Sequence, residues 1–167
     1  MVAALICDQA STNVAAINKL KMETKKMYSR FGKDKKTFGF EIGNQEIIPL
    51  FDPPHLLKCM RNNLITTNLI FSDSGIQHVA KWEHLTQLYE LDKTESNIGD
   101  RINPKLTDAH MYVEKMKKIK VLHAAQIFSQ RVGSIMKLLA TWSVKQLDPS
   151  AVDTAKFCLF MENCLIA

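Results

Sequence analysis

The sequence predicts a short α/β segment followed by a mainly α-helical region. Residues 1–8, MVAALICD, run apolar without alternation, which indicates a strand covered on both faces in a mostly parallel sheet. After Asp52, two consecutive prolines mark the point where apolar residues begin to recur at helical spacing. With 167 residues, 46% of them hydrophobic, the chain is long enough to bury one sizeable core.

Composition limits the partners that the protein can have. The net charge of +5 favours an anionic partner, and nucleic acid, nucleotide and acidic lipid all qualify. No charge-free apolar run approaches the ~20 residues of a membrane span, so we expect no membrane partner. The cysteines lie in apolar runs without a C-x-x-C pair, which indicates reduced buried thiols in an intracellular protein rather than a zinc site or disulfide framework.

The α/β segment divides into a strand, a helix and a hairpin. Asp8 ends the first strand, and Ser11 or Thr12 is the predicted N-cap of the helix that follows. Residues 21–36 are strongly basic, which is typical of a solvated loop and leaves phosphate contact as the alternative. Gly43-Asn44 predicts a hairpin turn between two short strands.

The helical region begins at the prolines. Pro54 is the predicted first helical residue, because a proline pushes the residue before it, here Pro53, out of the helical region. Further helices are predicted at about 79–91, at about 107–147 with Gly133 as the candidate break, and from 148 to the end. Between the first two, residues 92–107 form a polar loop.

The common motifs of nucleotide and catalytic sites are absent from the sequence. It contains no phosphate loop, G-x-G-x-x-G, H-E-x-x-H or G-x-S-x-G pattern. His110 and His123 lie among Met and Ile on a predicted helix, where packing is the more common fate of a histidine, so we assign them no role.

Several longer segments, taken in order, resemble one family. They are ICDQASTN, DPPHLLKCMRNNL, NPKLTDAH, KVLHAAQIFSQRV and DTAKF. Together they are similar to the P element transposase family, which includes the THAP-domain transposases, and they extend over nearly the whole chain.

The resemblance implies two domains and a metal-dependent reaction on DNA. Residues 1–51 would be part of an RNase H-like domain, and residues 52–167 a helical insertion domain that binds GTP. Members of the family excise and join DNA with three acids that hold Mg²⁺ or Mn²⁺, and Asp8 matches the second of these acids. Positions for the other two acids fall outside this sequence, so we expect a fragment, truncated in its insertion domain, that does not catalyse transposition alone.

The segment that begins with DPPH contains the candidate contacts to DNA. His55, Lys58, Arg61 and Asn62 are the candidate DNA-binding residues, with phosphates as the groups that they would contact. Alternatively, His55 only caps or supports the junction between the domains. The resemblance also implies a nuclear protein, and a homo-oligomer is an open possibility.

The nucleotide site is carried by the segment NPKLT. The resemblance implies that Lys105 and Leu106 contact GTP, with Lys93 as a possible third contact. The resemblance also implies a Phe-Asp pair just past the segment FMENCL, where this sequence has Ile166-Ala167, so a base-reading acid is missing and we expect weak binding. Two alternatives to a transposase fragment remain: a non-catalytic DNA- or nucleotide-binding module, and an inert relic.

Overall fold

The computed structural model describes residues 3–32, 37–95, 101–142 and 147–166. The chain divides into two compact units, Met1–Leu56 and Leu57–Ala167. The mixed α/β fold class is confirmed, with most strands early and most helices late in the chain. The predicted domain boundary at residue 52 stays a prediction. No helix in the described ranges is both long and apolar enough to span a bilayer.

The first unit contains a three-stranded sheet in the order β1-β3-β2, where β1 is Ala3–Cys7, β2 is Phe40–Ile42 and β3 is Gln45–Phe51. Strands β1 and β3 are parallel, with Ala3 opposite Ile47, whereas β2 is antiparallel to β3. Gly43 has a φ of 61°, which a glycine adopts without strain, and with Asn44 it forms the predicted hairpin turn.

The apolar run at the start forms a strand, but the expected cover on both faces is not found in the described part of this unit. Leu5 and Ile6 are 41% and 68% exposed. The run therefore predicted the strand correctly and its burial wrongly, because burial depends on what packs against a strand and not on the strand's own residues.

Helix α1 (Ser11–Arg30) is longer than predicted and includes most of the basic run. Long unbranched side chains such as Lys, Met and Glu favour a helix. The helix is tied to the sheet where Glu41 N donates to Thr24 Oγ1 over 2.9 Å and Tyr28 donates to the Glu41 carboxylate. Its N-cap is Ala10 without a side-chain bond, so the predicted Ser or Thr cap is wrong. Residues 33–36 of the run lie outside the described residues.

Helix α2 (Pro53–Thr66) begins one residue earlier than predicted, at Pro53. Asp52 caps it: its Oδ2 accepts the His55 N–H over 3.1 Å, and its carbonyl accepts the Leu56 N–H over 3.0 Å. Since the first residues of a helix have no backbone partner for their N–H groups, two prolines cost nothing there.

The second unit adds a hairpin that the sequence analysis missed. Strands β4 (Leu69–Asp73) and β5 (Ile76–Ala80) are antiparallel, with Asp73 opposite Ile76. Ser74 and Gly75 have φ values of 52° and 80°, as in a tight two-residue turn with left-handed residues. The Ser-Gly dipeptide between two apolar runs was the available signal.

Five helices complete the second unit: α3 (Trp82–Glu95), α4 (Asp108–Met111), α5 (Val121–Ile127), α6 (Gln130–Thr141) and α7 (Ala151–Ile166). Where the structure describes the range 107–147, the single long helix that was predicted is replaced by α4, α5 and α6; residues 143–146 lie outside the described residues. The break precedes Ser129, whose side chain accepts the Val132 N–H, and Gly133 lies within α6. Asp148 Oδ1 accepts the Ser150 N–H over 2.8 Å in the turn before α7.

One hydrophobic core joins these elements, with Leu57, Leu85, Phe128, Met136 and Cys158 all buried within it. Helix α7 is fixed to β5 by polar contacts, since Asp153 Oδ1 lies 2.7 Å from His78 Nδ1 and its Oδ2 accepts the Val79 N–H. The core thus sets α7 beside α6, and these two helices frame the site described next.

Candidate functional site

A cavity of about 290 Å³ opens in the second unit between a loop and three helices. The loop contributes its residues from 103 to 106, and α5, α6 and α7 supply the remaining walls. The lining residues are Asn103, Pro104, Lys105, Leu106, Ala125, Gln126, Ser129, Arg131, Val132 and Glu162.

The loop of the cavity is fixed by Asp92, which is 5% exposed. Its carboxylate accepts the Ile102 N–H over 2.7 Å and the Asn103 N–H over 3.2 Å. Arg101 donates to the same carboxylate over 3.2 Å and to the Leu106 carbonyl over 2.8 Å, while its guanidinium lies over the Tyr89 ring. The wall of the cavity is therefore preorganised by the protein alone.

Two side chains on the cavity wall have buried polar atoms without hydrogen-bond partners. Asn103 is 2% exposed, and neither its Nδ2 nor its Oδ1 is paired with any residue that the structure describes. The same holds for Glu162 Oε2. Leaving a buried polar group unpaired costs about 1–3 kcal/mol, so a water or a polar ligand that pairs with these atoms would be stabilised here.

The side chain of Gln126 is hydrogen-bonded to His110, which stacks against His123. His110 Nδ1 accepts the Thr107 N–H over 3.1 Å, which places the ring proton on Nε2, and Nε2 donates to Gln126 Oε1 over 2.7 Å. His123 stacks on His110 with 4.2 Å between ring centroids. These histidines are packed, as the sequence analysis had interpreted them, but His110 also orients one residue of the cavity wall.

The structure brings two of the three predicted nucleotide contacts to this cavity. Lys105 is exposed at its edge, and Leu106, which is 1% exposed, belongs to the core beneath it. Lys93 is not on the wall, because its Nζ lies 3.4 Å from Asp108 Oδ1 and near the rings of Tyr89 and Tyr112.

Asn103, Gln126, Arg131 and Glu162 were missed by the sequence analysis. Asn103 directly precedes the PKLT segment and was the one that this motif could have indicated. The others come from separate helices, and no spacing in the sequence connects them.

Of the candidate DNA-binding residues, Arg61 is not accessible to a DNA phosphate. It is fully buried, and its guanidinium donates to the carbonyls of Lys118 and Lys120. Its Nη2 also donates to Asn62 Oδ1 over 2.9 Å. His55 and Lys58 are half-buried. The capping role near His55 belongs to Asp52, whose carboxylate accepts the histidine's backbone N–H.

Asp8 lies at the carboxyl end of β1, and Asp52 follows the neighbouring parallel strand β3. Bonds from the Ala10 N–H, over 3.0 Å, and from Asn13 Nδ2, over 2.7 Å, lower the pKa of Asp8 below its usual value. Asp8 is thus an ionised carboxylate at neutral pH and a suitable ligand for a divalent cation. In the described ranges, no three His, Cys, Asp or Glu side chains are grouped to hold a metal ion.

Comparisons with known proteins agree with this architecture. A family model described as TNP-like, GTP-binding insertion domain matches residues 54–165. Human DNA transposase THAP9 is 29% identical over 120 residues, which cover 72% of this chain and 12% of that protein. A structure titled Drosophila P element transposase strand transfer complex aligns with a TM-score of 0.69 and 20% identity, over 99% of this chain and 34% of that chain.

The chain spans only a minor part of both relatives, so their complete activities are not thereby shown for it. The resemblance to P element transposases is nevertheless confirmed by three independent comparisons. Because the family model matches well over half of the residues, the chain belongs to the TNP-like, GTP-binding insertion domain family.

Proposed function

We propose that the second unit binds a guanine nucleotide in the cavity beside α6 and α7. The observation that carries this proposal is the pair of unpaired polar groups on its wall, Asn103 and Glu162. Membership of a GTP-binding domain family supports the class of ligand. The volume, about 290 Å³, is at the lower end for ligand pockets and suits a base, with the phosphates outside.

The chemistry of the wall favours guanine over adenine. An ionised Glu162 can only accept hydrogen bonds, and guanine offers an N1–H and an amino group on one edge. Adenine has an unprotonated N1, which a carboxylate repels. The Asn103 amide both donates and accepts, so it can pair with a carbonyl or an N–H group. Glu162 is therefore proposed to supply the acid whose loss was expected from Ile166-Ala167.

Two cationic side chains at the cavity are proposed to bind the phosphates of the nucleotide. Lys105 and Arg131 line the cavity and are both exposed, so their charges can meet a triphosphate that extends into solvent. Exposed cations add affinity for any nucleotide, whereas the buried groups distinguish between bases. Affinity and selectivity thus come from different residues.

Calorimetric titration of the 167-residue chain with GTP and ATP tests this proposal. Lys105→Ala should weaken both nucleotides, because it removes a charge that faces their common phosphates. Lys137→Ala is the matched control, since Lys137 is exposed on α6 but does not line the cavity. Absence of saturable GTP binding by the folded chain would overturn the proposal.

We further propose that the chain is part of a DNA transposase, with residues 1–51 belonging to an RNase H-like domain. Support comes from an acid directly after a strand with a parallel neighbour, and from the alignment with a transposase structure. Asp8 would give one carboxylate to Mg²⁺ or Mn²⁺, which stabilises the oxygens of a phosphodiester during cleavage. The resemblance also leads us to propose a nuclear location.

The second candidate function is a DNA- or nucleotide-binding module without catalysis. It is favoured by the absence of a three-ligand metal cluster from the described residues, while the cavity itself is preorganised. His55, Lys58 and Asn62 are proposed DNA contacts in either case. Metal-independent DNA binding without cleavage would distinguish the module from the enzyme.

A further inference from the structure

Arg61 is a buried cation without a carboxylate partner among the described residues. It is 0% exposed, and burial lowers the pKa of its guanidinium below the ordinary value. Its described partners are the carbonyls of Lys118 and Lys120 and the side chain of Asn62. Burying a guanidinium is costly unless its donors are satisfied, so these bonds must hold the segment firmly.

The segment that Arg61 holds is a lysine loop, which we define as residues 117–120. Its turn is closed by the Lys120 N–H, which donates to the Lys117 carbonyl over 3.0 Å. Lys117, Lys118 and Lys120 are all exposed, and none of them forms an ion pair within the described residues. Lys115, just before the loop, differs because its Nζ lies 2.6 Å from Asp108 Oδ2.

A run of lysines is usually only a solvated surface, but this loop has a fixed backbone. The guanidinium of Arg61 donates to two carbonyls of the loop, those of Lys118 and Lys120, and the three lysine side chains are exposed to solvent. Asn62, the next residue of α2, accepts a hydrogen bond from Arg61 Nη2 over 2.9 Å, and Lys58 lies one turn before Asn62 on the same helix face.

We infer that the lysine loop, together with Lys58 of α2, contacts the phosphate backbone of duplex DNA, and that Arg61 is the positioning residue of the loop. Lysine ammonium groups suit phosphate oxygens as point charges and read no sequence. DNA is favoured over other polyanions because the chain resembles DNA transposases. The inference rests on the proposed DNA-related function but not on nucleotide binding in the cavity.

Fluorescence anisotropy of a labelled DNA duplex with the 167-residue chain, over a series of salt concentrations, tests these contacts. Replacing Lys117, Lys118 and Lys120 with Gln should reduce the log–log salt slope by about 0.9 for each phosphate that is no longer neutralised, and by about 2.7 in total. Among single changes, Lys118→Gln should lower the slope, whereas Lys137→Gln, an equal loss of charge on α6, should not.

Arg61→Lys tests the positioning role. It keeps the charge but loses the fork that reaches two carbonyls, so DNA binding should weaken even though residue 61 does not reach DNA. The GTP affinity of the triple lysine variant should be unchanged, which separates failure of this inference from failure of the nucleotide site. An unchanged salt slope in the triple variant would overturn the inference, as would binding to phosphatidylserine vesicles without binding to DNA.

Discussion

At the scale of single residues, the wall of the cavity has both exposed cations and buried polar groups. Lys105 and Arg131 are exposed cations, whereas Asn103 and Glu162 have buried atoms that lack partners among the residues that the structure describes. A buried group that is satisfied only by a ligand penalises the wrong ligand more than it rewards the right one. Selectivity for the base should therefore depend on the buried pair.

The first prediction concerns Glu162→Gln. An amide offers a donor where guanine also has donors, so GTP should bind roughly ten- to hundredfold more weakly, which corresponds to about 1–3 kcal/mol. ATP should change much less, and inosine triphosphate, which lacks the amino group, should already bind the unaltered chain more weakly than GTP. Glu83→Gln, on the surface of α3, is the control. Equal losses for GTP and ATP would place the base elsewhere.

The second prediction concerns His84, which is 1% exposed and lies 2.8 Å from Thr154 Oγ1 and 3.2 Å from Ser150 Oγ. Burial lowers the pKa of its imidazole in the folded chain. The unfolded chain then binds more protons below the ordinary histidine pKa of about 6.5, so stability should fall as the pH decreases through that value.

Urea unfolding at about pH 7 and about pH 5 measures this effect, and His84→Gln should make the decrease smaller. Part of the decrease in stability should remain in this variant, because burial also lowers the pKa of His123. Asp148 and Asp153 have pKa values below the ordinary aspartate value of 3.8, so their contribution to stability is lost only at more acidic pH. Equal stability at both pH values would contradict the prediction.

At the scale of elements, the close approach of α6 and α7 sets the shape of the cavity. Gly133 lies in α6 next to Val132, and a Cβ at this position would be 2.8 Å from Leu159 Cγ and 3.1 Å from the Ala155 carbonyl of α7. Since Val132 and Glu162 line the cavity from these two helices, the glycine permits the spacing on which the site depends.

The third prediction is that Gly133→Ala destabilises the chain by about 1–3 kcal/mol, because the added methyl group overpacks the contact between the helices. Ser134→Ala, at the next and exposed position of α6, should have little effect. Adding Leu159→Ala to the glycine variant should restore part of the loss, since it removes the nearest atoms. Denaturant unfolding of the unaltered chain and the three variants measures these differences. The prediction is contradicted if Gly133→Ala has the same free energy of unfolding as the unaltered chain.

At the scale of the whole molecule, the two units carry different candidate sites. The first has Asp8 at the carboxyl end of a strand, and the second has a preorganised cavity within its own core. Two-metal cleavage of a phosphodiester needs several carboxylates around two ions. The described residues provide no cluster of three such ligands.

The fourth prediction is that the 167-residue chain neither cleaves nor joins DNA, because the resemblance implies three metal-binding acids and matches only Asp8 to one of them. Incubation with labelled duplex and Mg²⁺ or Mn²⁺ measures this directly, and metal-dependent strand transfer by the purified chain would contradict it. In a chain completed with partner acids, Asp8→Asn should abolish cleavage and leave DNA binding largely intact, because basic groups rather than the metal site hold the duplex.

The sequence by itself determined the local structure around its clearest signals. The uninterrupted apolar run predicted β1, Gly43-Asn44 predicted the turn, and the Asp-Pro-Pro segment predicted the start of α2 to within one residue. Each of these depends on backbone preferences of a few neighbouring residues, which the sequence contains in full. Lys105 and Leu106, two residues of the cavity wall, were named instead from the family resemblance of the NPKLT segment.

Only the tertiary structure decided which polar groups meet and which are buried. The sequence analysis grouped Arg61 with the residues that would contact DNA phosphates, yet the loop that ends at Lys120 covers Arg61 and accepts its hydrogen bonds. Glu162 and Asn103 line the same cavity although they lie far apart in the sequence. Burial and hydrogen bonding across such separations depend on how distant elements pack, and no local preference encodes that packing.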